Sequence, residues 1–283
     1  MNNLIDGKKI ALEILHDLEK KIAKTHRKPG LAFILVGENP ASQTYVRQKK
    51  KTCAQIGILS TLIELPNHTS QEEVIQHIDR LNNDPAIDGI LVQLPLPLHI
   101  HDRAIMLRID PTKDVDGFHP LNMGKLLLGE EGGFFPCTPA GILELLTRYQ
   151  IPTAGKHVVI VGRSNIVGKP LAALMMQKKC NATVTIAHSH TRNLISITQS
   201  ADILVVATGQ PHFIKKEMIR EGTVVIDVGI NRFHTGKLVG DVDFDEVAPI
   251  SSWITPVPGG VGPMTIAMLM KNTYLSYLQS KSI

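Results

Sequence analysis

The chain has 283 residues, a formal net charge of +4 and a pI near 8.9, with 43% hydrophobic and 20% charged residues. That is the composition of an ordinary soluble globular protein, long enough for two domains. The basic excess is only 30 against 26 and aromatic residues are 4%, so a nucleic-acid binder's basic stripe and stacking platforms are absent; anionic small molecules suit it better.

Cys53, Cys137 and Cys180 are too widely spaced for a zinc motif or a disulfide framework, which leads us to expect a reducing cytoplasm. No apolar run approaches the roughly 18–20 residues that span a bilayer. Asp6, Glu13, Asp17 and Glu19 interrupt the N-terminal segment, which reads as neither a signal nor a transit peptide.

In chain order, residues 4–25 place Ile10, Leu12, Ile14, Leu15, Leu18 and Ile22 at helical spacing. An apolar strand over 31–36 is closed by Gly37, and a helix over 42–56 follows and stops at Gly57. A strand over 61–65 leads to a capping box read as Thr69 to Glu72 and a helix over 73–81. Gly89 opens a strand over 90–94 that Pro95 and Pro97 terminate. Strand and helix alternate, so this half is expected to be α/β with a mostly parallel sheet. Residues 111–129, with two prolines and three glycines, read as a loop-rich connection, after which Thr138 and Pro139 are expected to cap a helix over 140–149.

The stretch 157–170, HVVIVGRSNIVGKP, organises the second half. A β-branched run stops at Gly162, a second glycine follows at Gly168, and 171–176 reads as helix. Strand, glycine turn and helix bring backbone N–H groups up to a phosphate. The usual G-x-G-x-x-G is not matched, because Ser164 stands at its second glycine. A second strand over 182–187 ends in His188, Ser189, His190 and Thr191, where an acid would mark NAD. No acid is there, and Arg163 can reach the same spot. A cation and hydroxyls suit a ribose 2′-phosphate, so NADP is expected over NAD. Strands over 202–207 and 223–228 end at Thr208-Gly209 and Gly229-Ile230, and a short strand over 253–255 precedes a proline- and glycine-rich loop. Pro263 fits the first turn of a helix over 264–278, which is expected to pack back on the N-terminal domain.

Ser42, Tyr45, Lys49 and Cys53 form one stripe of the helix over 42–56. Of Lys49, Lys50 and Lys51, Lys49 shares a face with Tyr45 on a segment that follows a sheet strand, near the carboxyl strand ends where α/β sheets bind ligands. A partly desolvated lysine there could handle protons near neutrality. Gln93 ends a buried strand, and its amide must either tie down local backbone or meet a ligand. Asp114 and Asp116 lie in the loop leaving this domain. With His99 and His101 they make no recognisable metal set, and the better reading is one carboxylate accepting N–H groups of a heterocycle.

The motifs Tyr45-Val46-x-x-Lys49-x-Lys51, Asp88-Gly89-Ile90-Leu91-Val92-Gln93-Leu94-Pro95, Lys113-Asp114-Val115-Asp116-Gly117, Gly162-Arg163-Ser164 and Pro256-Val257-Pro258-Gly259-Gly260-Val261-Gly262-Pro263-Met264-Thr265 closely resemble those of the bifunctional methylenetetrahydrofolate dehydrogenase/methenyltetrahydrofolate cyclohydrolases, the FolD proteins. The resemblance covers essentially the whole chain. It implies a folate-binding catalytic domain over 1–139, joined by the returning segment 264–283, and a Rossmann-type NADP domain over 140–263. It implies NADP-dependent oxidation of 5,10-methylenetetrahydrofolate, hydrolysis of the methenyl product to 10-formyltetrahydrofolate, and a homodimer. Lys49 would be the main catalytic group, assisted by Tyr45 and Gln93, and Asp116 would hold the pterin ring. Gly162, Arg163, Ser164, Ser189 and Ile230 would line the cofactor site, with Thr138 and Gly209 beside them. The loop carrying Pro258, Gly259, Gly262 and Thr265 would border the substrate. No metal is implied.

Overall fold

A computed structural model describes residues 3–232 and 236–280, so residues 1–2 and 281–283 of the expected first domain lie outside the described residues. The first half runs α1 (Gly7–Ala23), β1 (Gly30–Val36), α2 (Pro40–Ile56), β2 (Leu59–Leu65), α3 (Gln71–Asn83), β3 (Gly89–Val92), α4 (Asp102–Arg108) and α5 (Pro120–Leu128). Then come α6 (Cys137–Arg148), β4 (His157–Val161), α7 (Gly168–Met175), β5 (Thr183–Ala187), α8 (Leu194–Gln199), β6 (Ile203–Val206) and β7 (Val224–Asp227). The chain finishes with β8 (Asn231–Arg232), β9 (Leu238–Val239), α9 (Phe244–Val247), β10 (Trp253–Ile254) and α10 (Val261–Gln279).

Two compact α/β units result. The N-terminal unit holds Glu13–Phe135 and takes back the chain from Ile266; the C-terminal unit holds Pro136–Thr265 and the chain up to Leu12. These bounds differ from the divisions at 139 and 263 expected from sequence.

The N-terminal unit is built on a parallel sheet of order β2-β1-β3. β1 and β3 are unbroken apolar runs because both faces are buried, whereas β2 is an edge strand with alternating exposure. Ala32, Ile34, Val36, Ile90 and Val92 form one core with Val74 and Ile78 of α3 and Ile105 of α4. α10 is tied in by polar contacts as well: Asn272 Nδ2 donates to the carbonyls of Val115 (2.8 Å) and Phe135 (3.1 Å), and Ser276 Oγ donates to those of Asp88 and Thr112. Asp88, itself buried, takes a bidentate pair from Arg27 at 2.7 Å in both arms.

The C-terminal unit carries a parallel sheet of order β10-β7-β6-β4-β5. The chain starts at β4, steps to β5, then crosses to the other side, so strand order reverses at β4. This is the doubly wound, Rossmann-type arrangement expected from the alternation of elements.

Several local expectations shift. The cap of α3 is Ser70, whose hydroxyl accepts from the Glu73 N–H, one residue later than the box read from Thr69. The connection expected to be loop contains α5: Pro120 takes the first helical turn, His119 Nδ1 accepts from the Leu121 N–H, and Gly129 closes it in the left-handed conformation. α6 begins at Cys137, so Thr138 lies inside its first turn rather than capping it, and its hydroxyl meets that of Thr265 at 2.9 Å.

Candidate active site

In the N-terminal unit, strand order reverses at β1, and the crevice of such a sheet opens at the carboxyl ends of the strands flanking the reversal. Ile34 of β1 is level with Val92 of β3, and the Gln93 N–H donates to the Ile34 carbonyl at 2.9 Å. Gln93 therefore stands at that carboxyl edge, and α2 starts from the same edge after Gly37. Asn39 caps α2 by accepting from the N–H groups of Ala41 and Ser42.

α2 turns Ser42, Val46, Lys49, Cys53 and Ile56 inward. Lys49 is only 9% exposed, and its Nζ donates to Gln93 Oε1 at 3.0 Å. The other end of the same amide donates to the Leu94 carbonyl at 2.7 Å, and Ser42 Oγ reaches that carbonyl at 3.4 Å. Gln93 thus takes the first option raised by its sequence position, tying down backbone with its Nε2, while its Oε1 holds the Lys49 ammonium. An ammonium has three protons, and this amide takes one. Tyr45 is half-buried one turn before Lys49; Lys50 is half-buried and Lys51 exposed. Cys53, one turn further, is no rival nucleophile. Burial pushes its thiol up to about 12 despite the nearby Lys49 charge, and its Sγ packs at 3.5 Å from Met270 Sδ.

The Lys113-Asp114-Val115-Asp116 segment divides its labour. Lys113 Nζ donates to the Leu81 and Asp84 carbonyls. Asp114 is buried and accepts from Asn122 Nδ2 (2.8 Å) and from the N–H groups of His119 (2.8 Å) and Phe118 (3.3 Å). Burial pushes its carboxyl up to about 6, those donors pull it down, and the charge of Asp116 adds to the rise. Asp114 is a loop organiser. Asp116 is half-buried in the same turn.

In the C-terminal unit the nucleotide candidates line up by register. Val161 pairs with Ala187 and with Val206, and Val206 pairs with Asp227. Gly162–Arg163, His188–Ser189, Thr208–Gly209 and Gly229–Ile230 therefore follow these four strands at one carboxyl edge. Arg163, Ser164, Ser189, Gly209 and Ile230 are exposed there. Gly162 has φ +130, and a Cβ on it would overlap the Ala207 carbonyl oxygen; a Cβ on Gly168 would overlap the Gly162 carbonyl oxygen. These two glycines let the turn pack tightly against neighbouring backbone, the close strand–turn–helix approach that a dinucleotide site uses. Ser164 replaces the missing glycine usefully: its hydroxyl accepts from the Val167 N–H at 3.1 Å at the start of α7. Thr138, in the first turn of α6, is held by the hydroxyl of Thr265.

Pro258 is exposed, Gly259 and Gly262 are half-buried, and Gly259 adopts φ +107. The Gly259 carbonyl accepts from the Lys8 N–H at 2.8 Å. Two carboxylates not singled out by sequence, Asp227 and Asp241, lie buried, and Asp241 accepts from the N–H groups of Thr208 and Gly209 at that carboxyl edge. Among the described residues no cluster of three His, Cys, Asp or Glu side chains could hold a metal, and no helix is long and apolar enough to cross a membrane.

Sequence comparison matches residues 5–116 to the family model "Tetrahydrofolate dehydrogenase/cyclohydrolase, catalytic domain" and residues 136–281 to its "NAD(P)-binding domain". A curated relative from Prosthecochloris aestuarii, "Bifunctional protein FolD", is 55% identical over 99% of both chains. The Campylobacter jejuni bifunctional enzyme FolD superposes with a TM-score of 0.95 at 49% identity, covering 98% of each chain. The Trypanosoma brucei N5,N10-methylenetetrahydrofolate dehydrogenase-cyclohydrolase, solved with NADP cofactor and an inhibitor, gives 0.94 at 40% identity over 99% of this chain and 98% of that one.

Proposed function

The chain belongs to the tetrahydrofolate dehydrogenase/cyclohydrolase family, and from that premise we propose how its residues divide the two reactions. It is an NADP-dependent methylenetetrahydrofolate dehydrogenase and a methenyltetrahydrofolate cyclohydrolase. Bound NADP supplies the hydride acceptor. Loss of hydride from the methylene carbon leaves a cation shared between two nitrogens, so the first step needs positioning and no base. Asp116 accepts N–H groups of the pterin ring, Tyr45 borders the ring, and the loop with Pro258, Gly259, Gly262 and Thr265 borders the substrate.

Hydrolysis asks for more. Water adds its oxygen to the methenyl carbon, one of its protons reaches the departing ring nitrogen, and the other leaves to solvent. Lys49 is the proton carrier for this exchange, held by Gln93. The observation that carries this reading is the 3.0 Å Lys49–Gln93 bond on a buried helix face at a carboxyl strand edge. For the cofactor, Arg163 and Ser189 take the 2′-phosphate, while Gly162, Ser164, Gly209 and Ile230 line the rest, with Thr138 supporting Thr265. The protein is further proposed to be a cytoplasmic homodimer.

The test follows absorbance at 340 nm together with methenyl-folate decay on purified protein. Substrate-dependent reduction of NADP and methenyl hydrolysis should both appear. A protein with one activity alone would overturn the bifunctional reading.

A further inference from the structure

We propose that Asp241 is a positioning residue for the dehydrogenase, fixing the loops after β6 and β7 in the shape that receives the nicotinamide half of NADP. The inference rests on the cofactor reading above, which places the 2′-phosphate at β4 and β5 and so leaves the other half of the dinucleotide to β6 and β7.

Asp241 follows β9 and is fully buried. Its Oδ2 accepts from the N–H groups of Thr208 (2.6 Å) and Gly209 (2.9 Å) and from Thr208 Oγ1 (3.0 Å). Its Oδ1 accepts from Asn231 Nδ2 at 2.8 Å, next to Ile230. One side chain therefore grips both loops. In a trans peptide the N–H and C=O point opposite ways. Turning the Thr208 N–H toward Asp241 turns the Ala207 carbonyl away from it, toward Gly162 of the phosphate turn, where it occupies the space a Cβ would need.

Asp227 holds Asp241 in place. Its Oδ1 accepts from the N–H groups of Gly229 (2.9 Å) and Asp241 (3.0 Å), and its Oδ2 accepts from that of Val242 (2.9 Å). The fit leaves no slack: a Cβ on Gly229 would overlap the Asp241 carboxylate, and one on Gly240 would overlap that of Asp227.

In Asp241→Asn, an amide oxygen kept on Thr208 and Gly209 sets its NH2 against the NH2 of Asn231. The swap Asp241→Asn/Asn231→Asp restores donor to acceptor. Calorimetric NADP titration, hydrogen exchange at the 208 and 209 amides, and the NADP KM and kcat are measured on each protein, with cyclohydrolase rate as the folding control. Asp241→Asn should weaken NADP binding and raise its KM about tenfold, speed exchange at both amides, and leave the cyclohydrolase rate within about twofold. The swap should recover most of the affinity, which a merely structural role would not require. Should Asp241→Asn not fold, Thr208→Val, lacking one of these bonds, is expected to weaken NADP about threefold. Unchanged NADP affinity in a folded variant, or a loss the swap does not recover, overturns the assignment. If Arg163→Ala weakens NADP while Asp241→Asn does not, the Asp241 assignment alone fails. If Arg163→Ala has no effect on NADP, the cofactor reading fails and takes this inference with it.

Discussion

Arg163 and Lys49 are both cations at carboxyl strand edges, yet the physics asks different things of them. Arg163 is exposed, so its worth lies in what it binds. A charge-assisted bond to a 2′-phosphate contributes about 1.5–3 kcal/mol. Arg163→Ala should therefore raise the NADP KM about 10–100-fold while the NAD KM stays within about twofold. Unchanged cofactor preference in steady-state kinetics would contradict the assignment. Lys49 is instead buried against an amide, and both partners were legible because each stood at a strand end or on a helical stripe facing one. Asp114 and Asp116 are not separable from their own residue types and spacing, and only the family resemblance picks out Asp116. What distinguishes them is a tertiary donor, Asn122 of α5, in a segment that reads as loop. Asp241 was invisible for the same reason, since its donors come from two other loops.

Strands announced themselves and short helices did not. β1, β3, β6 and β7 are buried along their whole length and read as continuous apolar runs. α4 and α5 have seven and nine residues, too short for periodicity to emerge, and Pro120 and Gly124 mimic loop punctuation in α5. The glycines then differ sharply in what they tolerate. A Cβ on Gly168 would collide with Gly162 backbone, whereas Gly124 has nothing within 4 Å of its Cβ position. Gly168→Ala should destabilise the C-terminal unit by about 1–3 kcal/mol and weaken NADP. Gly124→Ala should stabilise the N-terminal unit by about 0.5–1 kcal/mol. Denaturant midpoints check both, and equal shifts in the two variants would contradict the difference between these two glycine sites.

Across the molecule, each unit buries a carboxyl in a cage of N–H donors. Burial pushes Asp227 up to about 7 and Asp114 up to about 6 from 3.8. The folded state then holds these protons more tightly than the unfolded chain. Their stabilisation is complete below about pH 4 and is lost as pH rises through the folded values. For Asp227 the difference corresponds to about 4 kcal/mol. Lowered carboxyls act in the opposite sense and in a different window: Asp202, accepting from the His157 N–H, and Asp243, paired with Lys215, lose their contribution only as pH falls below the ordinary range. Trp253, the sole tryptophan in the sequence, lies in β10 beside β7, so its fluorescence follows unfolding of Asp227's unit. Between pH 5 and 8 the wild-type urea midpoint should fall more steeply than that of Asp227→Asn, and parallel slopes would contradict the shift.

We propose that one proton carrier serves hydrolysis while hydride transfer runs on positioning alone. Both rates are to be measured on a single preparation of Lys49→Met. Cyclohydrolase turnover should fall about 10²–10⁴-fold, with dehydrogenase activity retained within about tenfold. Equal survival of the two rates, or their loss in parallel in a folded protein, would contradict it.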